Sequence, residues 1–254
     1  MSALSLAPAR LSLPASVWHA DAMDGALLST ADTAYAALNA VLPGGGWPVG
    51  ALIELLQTGP GSEWGLLAPA LARRDQDAQR SLVLVNAPYQ PFGPALAAQQ
   101  LDPQRLLCVQ AGSAAAQLWA AEQALRCSDV AAVLAWLPQV KMPPLRRLHI
   151  AAQEHGKLLF VFRPAAAQAE SSPAPLRVLL QRLPGPAPRL QLDIFKRRGP
   201  PLPQPLELPV GPVRLHALLA ASRAQALQRR RHVAVPLLQD NRHALDRLTA
   251  AHSA

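Results

Sequence analysis

The sequence predicts an α/β fold in which a mostly parallel β-sheet is flanked by helices. Short apolar runs rich in leucine and valine alternate along the chain with Ala/Leu-rich stretches of helical length. This alternation is typical of βαβ units, and strands that are apolar almost throughout indicate a sheet buried on both faces. With 254 residues, 50% of them hydrophobic, the chain is long enough to bury one sizeable core and carry an appendage.

The strands and helices of the core can be assigned in chain order. A Gly-rich turn at Leu42–Gly50 leads into a first strand at 51–56, and further strands are predicted at 81–86, 106–109, 131–136 and 158–162. Helices are predicted over 63–74, 92–100, 113–126 and 143–155. We expect Ile53, Leu84, Leu134 and Phe160 to lie in strands of one sheet, where truncation of each to alanine costs about 2–5 kcal/mol.

Prolines mark the segments that follow the core. Residues 165–175 are small, polar and proline-containing, which predicts a flexible loop. Residues 176–183 and 189–195 can pair as antiparallel strands, and Gly199–Pro212 is Pro-rich and predicts an extended linker.

The chain beyond the linker has helical periodicity. Residues 213–230 carry leucines near one face, and a second, short helix is expected at 240–250. These assignments divide the chain into an N-terminal arm (1–30), a core (31–198) and a tail (199–254) that joins the Pro-rich linker to an Arg-rich helical extension.

The segment after the first strand has the frame of a phosphate-binding loop without its chemistry. The pattern G-x-x-x-x-G-K-[ST] uses two glycines, a lysine and a Mg²⁺-binding hydroxyl. Gln57 and Ser62 stand in place of the glycines, Glu63 in place of the lysine and Trp64 in place of the hydroxyl. Glu63 would repel a triphosphate, but at a helix N-terminus it gains about 0.3–1 kcal/mol from the helix dipole. The alternative is that 57–64 is an ordinary turn before a helix.

The order of these segments resembles the RecA core. Gly44–Leu56 is similar to its Gly-rich approach and first strand, 91–109 to the helix and strand after its second strand, and 146–162 to a later helix–strand unit. Within that superfamily the chain resembles the ImuA family, RecA/SulA-like proteins of bacterial SOS mutagenesis. The ImuA-like features are Val17-Trp18-His19, the Trp-Pro that follows three glycines in Leu42–Gly50, and the overall length with an Arg-rich tail. The resemblance covers roughly residues 16–198.

Departures from the RecA pattern predict a pseudo-ATPase. Pro88 holds the place of the RecA-like catalytic glutamate, Leu134–Pro138 lacks a Walker B aspartate, and Arg163-Pro164 replaces the residue that senses nucleotide or DNA. Phosphoryl transfer depends on such positioned charges, so we expect no catalytic residue, no metal ligand and no nucleotide cofactor. Trp47 and Trp136 are expected to flank the vacant site, either as core or as a platform for a ligand.

The net charge of +8 is concentrated in the last third of the chain. Residues 1–175 carry 11 Lys/Arg and 12 Asp/Glu, whereas 176–254 carry 13 and 4. A basic tail favours contact with nucleic acid or with an acidic protein groove, although a solvated helix face is the alternative. The candidate contact residues are Lys196, Arg197, Arg198, Arg229, Arg230 and Arg231.

The resemblance to the ImuA family implies a non-catalytic accessory protein of SOS-induced translesion DNA synthesis. Its implied partners are an ImuB-type relative of the Y-family polymerases, a C-family error-prone polymerase and RecA itself, with DNA a further candidate through the basic tail. We favour protein over DNA, because no Phe, Tyr or Trp follows Phe195 to stack on bases. The alternatives are a SulA-like inhibitor of cell division and a RecA-like DNA-dependent ATPase with unusual site residues.

Composition predicts a cytoplasmic protein that contacts no membrane. No run is long and apolar enough to span a bilayer, and the N-terminus lacks the basic-then-apolar layout of a signal peptide. Cys108 and Cys127 are predicted to be buried free thiols, because cytosolic thiols stay reduced. Neither has the close cysteine or histidine partners of a zinc site.

Overall fold

The computed structural model describes residues 29–59, 61, 63–74, 80–185 and 188–211. Most of the predicted N-terminal arm, Ser62 and the predicted helices at 213–230 and 240–250 lie outside these residues. Arg229, Arg230 and Arg231 also lie outside them, so the expectations for the arginine-rich tail stay predictions.

The described residues form ten strands and five α-helices. The strands are β1 (Thr30–Ala31), β2 (Trp47–Pro48), β3 (Ala51–Gln57), β4 (Ser81–Val85), β5 (Leu106–Val109), β6 (Val130–Trp136), β7 (Leu158–Pro164), β8 (Leu176–Leu183), β9 (Arg189–Lys196) and β10 (Leu206–Pro209). The helices are α1 (Ala36–Val41), α2 (Glu63–Arg73), α3 (Gly93–Ala97), α4 (Ala114–Arg126) and α5 (Met142–Glu154). Short 3₁₀ helices occur at Pro43–Gly45, Pro103–Arg105 and Ala165–Ala169.

Eight of the strands form one sheet in the order β10-β9-β8-β3-β7-β6-β4-β5. The strands from β8 to β5 pair in parallel, and β9 and β10 add an antiparallel edge. The predicted α/β fold with a mostly parallel sheet is therefore confirmed. Ile53, Leu84, Leu134 and Phe160 lie in β3, β4, β6 and β7 of this sheet, and all four are fully buried.

The two faces of the sheet pack against different helices, because side chains alternate between the faces of a strand. On one face, Ile53 and Phe160 pack with Leu38 of α1 and with leucines of α2. On the other face, Leu52 and its neighbours pack with α4 and α5. The sheet is thus buried on both sides, as its apolar strands predict.

Two expectations for the segments that follow β7 are wrong. Residues 165–175 are not simply a flexible loop: they begin with a 3₁₀ helix, and Ala167 and Ala174 are buried. Residues 199–212 contain β10 within the predicted linker, because Leu208 and Val210 are apolar enough to be buried at the sheet edge.

The thiols of Cys108 and Cys127 are free, but both residues are exposed rather than buried. Cys108 lies on β5, an edge strand whose outer side is uncovered by the described residues, and Cys127 caps the C-terminus of α4. An apolar strand pattern does not reveal which strand becomes the edge of the sheet.

Candidate functional site

A cleft of about 660 Å³ opens at the carboxyl ends of β3, β4, β6 and β7. This edge is where open α/β sheets bind their ligands, and the volume is in the range of small-molecule sites. The residues lining the cleft follow the ends of the four strands and include Gln57, Thr58, Gly59, Asn86, Pro88, Trp136, Leu137, Pro138, Lys141, Phe162, Arg163 and Pro164.

The loop after β3 is closed by an internal carboxylate. Glu63 begins α2, is buried, and its Oε2 accepts the backbone N–H of Gly61 at 2.7 Å. In a phosphate-binding loop, such N–H groups and the helix N-terminus point at an anion supplied by the ligand. Here the protein supplies the anion itself, and a phosphate group would have to displace it.

The predicted loop residues take different positions. Gln57 is buried at the end of β3 and lines the cleft. Trp64 is half-buried and packs against the core on the α2 side. Its indole therefore contributes to core packing.

One of the two predicted flanking tryptophans lines the cleft. Trp136, at the end of β6, stacks on Phe162 of β7, with ring centroids 4.4 Å apart and an interplanar angle of 17°. Trp47 does not flank the cleft: it precedes β3, is fully buried, and meets Phe160 edge-on at 5.5 Å. The prediction for Trp47 is wrong because β2 lies before the amino end of β3, whereas the cleft is at the carboxyl end.

A buried ion-pair cluster beneath the cleft was missed by sequence reasoning. The side chain of Glu54, in the middle of β3, is fully buried. Its Oε1 lies 3.1 Å from Arg163 Nη1, and its Oε2 lies 2.5 Å from Arg177 Nε. A lone glutamate within the apolar run 51–56 is the signal that predicts such a partner, but the sequence does not say which arginine provides it.

The two arginines are also tied to backbone and to a second carboxylate. Arg163 Nη2 donates to Val140 O at 3.1 Å and to Glu170 Oε2 at 2.7 Å, and this hydrogen bond to Arg163 lowers the pKa of Glu170. Arg177 donates to the carbonyls of residues 167, 168 and 170 and lies over the Phe195 ring. Arg163 reaches the cleft wall, but its charge is already balanced by Glu54 and Glu170, so it offers little to a triphosphate.

A second cavity, of about 600 Å³, lies at the opposite, amino edge of β3. Arg74, His149, Arg197 and Arg198 line it, and none of its described lining residues is acidic. The end of β9 thus places Arg197 and Arg198, two of the predicted contact residues, beside a histidine and an arginine that sequence reasoning did not associate with them. Lys196 stands next to this group, and its Nζ donates to Ser172 O at 2.8 Å.

The described part of the chain contains no group of three or more His, Cys, Asp or Glu side chains placed to hold a metal ion. None of its helices has the length and apolarity to cross a membrane. No family model matches the chain, and no curated protein matches it either.

Proposed function

We propose that this chain is a non-catalytic interaction protein of SOS-induced translesion DNA synthesis. In this proposal its RecA-like core has lost nucleotide chemistry and serves as a scaffold for partner proteins. The partners are an ImuB-type Y-family polymerase relative, a C-family error-prone polymerase and RecA. The resemblance to the ImuA family supports the identity of the partners.

The observation that carries the non-catalytic part is the buried Glu63 carboxylate on Gly61 N–H. A triphosphate in this loop would meet a negative charge in a poorly solvated place. Two cations line the cleft. Arg163 is already paired with Glu54 and Glu170 and does little to offset that repulsion, whereas Lys141 is exposed at the start of α5. Catalysis of phosphoryl transfer needs the reverse arrangement of charge.

Calorimetric titration with Mg·ATP tests this part. We expect the wild-type chain to give no heat beyond dilution. Glu63→Gln keeps the shape of the side chain and removes its charge, so it separates repulsion from the absence of a lysine, and Glu63→Lys restores the missing cation. Micromolar binding by the wild-type chain that Glu63→Lys leaves unchanged would contradict the proposal and favour the ATPase alternative.

Exposed aromatic and aliphatic side chains support an interaction role. Phe92 is 71% exposed, Trp119 65%, Tyr89 62% and Leu107 55%. They belong to the segment after β4, to the edge strand β5 and to α4. Aromatic side chains such as these are enriched at protein–protein interfaces.

A pull-down after DNA damage tests the partners and the tail. The truncated chain should end at Gly211, because a chain ending at Arg198 would also lose β10. We expect the full chain to capture the ImuB-type and C-family polymerases and the shortened chain to lose them. Full capture by the shortened chain, or loss of DNA binding alone in a parallel mobility-shift assay, would refute the tail as the partner-binding element.

A further inference from the structure

The cavity at the amino edge of β3 is lined by three arginines and a histidine from three separate parts of the fold. Arg74 follows α2, His149 lies on α5, and Arg197 and Arg198 follow β9. The sheet and its two helix layers therefore bring these side chains together although they are distant in sequence. Such convergence in a concave site distinguishes the cavity from a solvated run of charges on one helix face.

The described lining of the cavity contains four basic or titratable nitrogen side chains and no acidic residue. Burial is the largest cause that lowers the pKa of His149, and the charges of Arg198 and Lys196 lower it further. His149 is therefore neutral near pH 7.

Hydrogen-bond donors remain available to a ligand. His149 Nδ1 accepts the N–H of Leu52 at 3.1 Å, so the neutral ring carries its proton on Nε2. Arg197 donates from Nε to Pro200 O and from Nη1 to Val41 O, which fixes its guanidinium and leaves Nη2 without a hydrogen bond among the described residues. The exposed Arg198 makes no hydrogen bond or ion pair within that same part of the chain.

We infer that this amino-edge cavity is a binding site for a phosphate group. Guanidinium groups bind phosphate oxygens in a planar, two-bonded geometry, and the neutral Nε2–H of histidine adds a donor without needing a counter-charge. No Phe, Tyr or Trp lines the cavity among the described residues, so it offers no stacking surface for a base. The ligand is therefore recognised by its phosphate, whether that is a nucleic-acid end or a free phosphate compound.

This site is separate from the vacant nucleotide loop at the other edge of the sheet, and its test does not depend on the partners proposed above. The full-length chain is titrated against a 3′-labelled oligothymidylate with a 5′-phosphate, and against the same oligomer with a 5′-hydroxyl, by fluorescence anisotropy. Inorganic pyrophosphate and a polyglutamate peptide of matched charge serve as competitors. The expected result is tighter binding of the phosphorylated oligomer and displacement by pyrophosphate at lower concentration than by the peptide.

Arg198→Gln is the diagnostic variant, because the side chain is exposed and its loss should not disturb the fold. We expect it to weaken phosphate binding about tenfold, the value of one charge-assisted hydrogen bond. Arg182→Gln is the matched control: it removes the same charge from an exposed site near Gly61, at the other edge of the sheet. Equal weakening by both variants would show a diffuse field rather than a site and would overturn the inference.

Two outcomes distinguish the source of the phosphate, and both support the site. Binding of the 5′-phosphorylated oligomer that is much tighter than binding of pyrophosphate indicates a nucleic-acid end, and equal affinity indicates a free phosphate compound. Equal competition by polyglutamate, or no binding of any phosphate probe, would overturn the inference. As an independent readout, pyrophosphate should shift the ring NMR signals of His149 and not those of His155, which is exposed at the end of the same helix.

Discussion

A carboxylate in the middle of a buried strand is stable only when cations surround it, and Glu54 has Arg163 on one oxygen and Arg177 on the other. Removing the ionised carboxylate leaves two guanidinium groups out of contact with water, one of them still paired with Glu170. Removing one partner of a buried ion pair destabilises a protein by more than the intact pair stabilises it, because the other charge stays buried without a counter-charge.

We predict that Glu54→Gln lowers the free energy of unfolding by roughly 3–5 kcal/mol. The matched control is Glu207→Gln, which breaks the half-exposed pair between Glu207 and Arg189 on β10 and β9 and should cost at most about 1 kcal/mol. Urea unfolding near neutral pH, followed by circular dichroism, measures both values. Similar losses of unfolding free energy in the two variants would show that the buried cluster contributes no more to stability than an exposed ion pair does.

His149 gives the fold a dependence on pH. Its pKa is below the ordinary 6.5, chiefly because the ring is partly buried and then because Arg198 and Lys196 are near. The unfolded chain therefore binds a proton at this position more readily than the folded chain does. The contribution of His149 to stability is complete above pH 6.5 and is lost as the pH falls towards its lower folded pKa.

We expect His149→Gln to reduce the loss of stability that the wild-type chain shows between about pH 7.5 and about pH 5.5. Protonation of Nδ1 also ends its role as acceptor for Leu52 N–H, which acts in the same direction. Urea unfolding of both proteins should be compared in phosphate-free buffer, because a bound anion would raise the pKa of His149. Parallel pH profiles for the two proteins would show that His149 does not titrate in this way.

At the scale of elements, β10 covers the edge of β9 and completes the antiparallel end of the sheet. Leu208 of β10 and Val210 just after it are buried, and a Cβ atom added to Gly65 of α2 would lie 3.0 Å from Val210 Cβ. The segment after β9 is therefore packed against both the sheet and a helix. A chain that ended before it would expose an unpaired strand, which favours aggregation.

We predict that a chain ending at Arg198 is less stable and more prone to aggregate than one ending at Gly211. Both lose residues 212–254, so the comparison isolates β10 and its packing. Light scattering at rising concentration and thermal unfolding measure the two effects. Equal behaviour of the two chains would mean that β10 contributes nothing to the stability of the sheet.

The pattern of elements could be predicted from the sequence because burial imposes it directly. Strands β3, β4, β6 and β7 are apolar along almost their whole length, and helices such as α4 and α5 have the length and composition of their class. The edge strands are harder to predict from the sequence. β5 is apolar but exposes Leu107 and Cys108, and β10 occurs within a Pro-rich segment that predicts a linker. Local sequence does not encode which strand has a neighbour.

Much less of the candidate site could be predicted. The substitutions in the loop after β3 are visible in the sequence, and so is the place of Trp136 at a strand end. The amino-edge cavity was not visible, because Arg74, His149 and Arg198 are separated by long stretches of chain and meet only in the folded protein. Pairing of Glu54 with Arg163 and Arg177 was hidden for the same reason, since 109 and 123 residues separate the partners.

At the scale of the whole molecule, the net positive charge is concentrated in the residues that follow the sheet. Residues 212–254 carry seven Lys/Arg and two Asp/Glu, more than half of the net charge of +8. This charge is attracted to any polyanion, whether or not a specific site exists.

We predict that nonspecific binding of the full chain to duplex DNA weakens steeply as salt rises, because binding releases counterions from the phosphates. A chain ending at Gly211 should show a shallower dependence of the logarithm of the binding constant on the logarithm of the salt concentration. Anisotropy titrations over a range of salt give both slopes. Identical slopes would place the DNA-contacting charge in the first 211 residues instead.

The position of β3 in the sheet also has a consequence for biosynthesis. β3 is followed at once by α2, yet its only neighbours in the sheet are β7 and β8, which begin at Leu158 and Leu176. During translation this apolar strand therefore leaves the ribosome long before either neighbour exists, and Glu54 leaves it before both of its arginines. Because such late partners make folding slow and expose hydrophobic surface meanwhile, we expect β3 to be a segment that chaperones bind on the nascent chain until residue 183 has emerged.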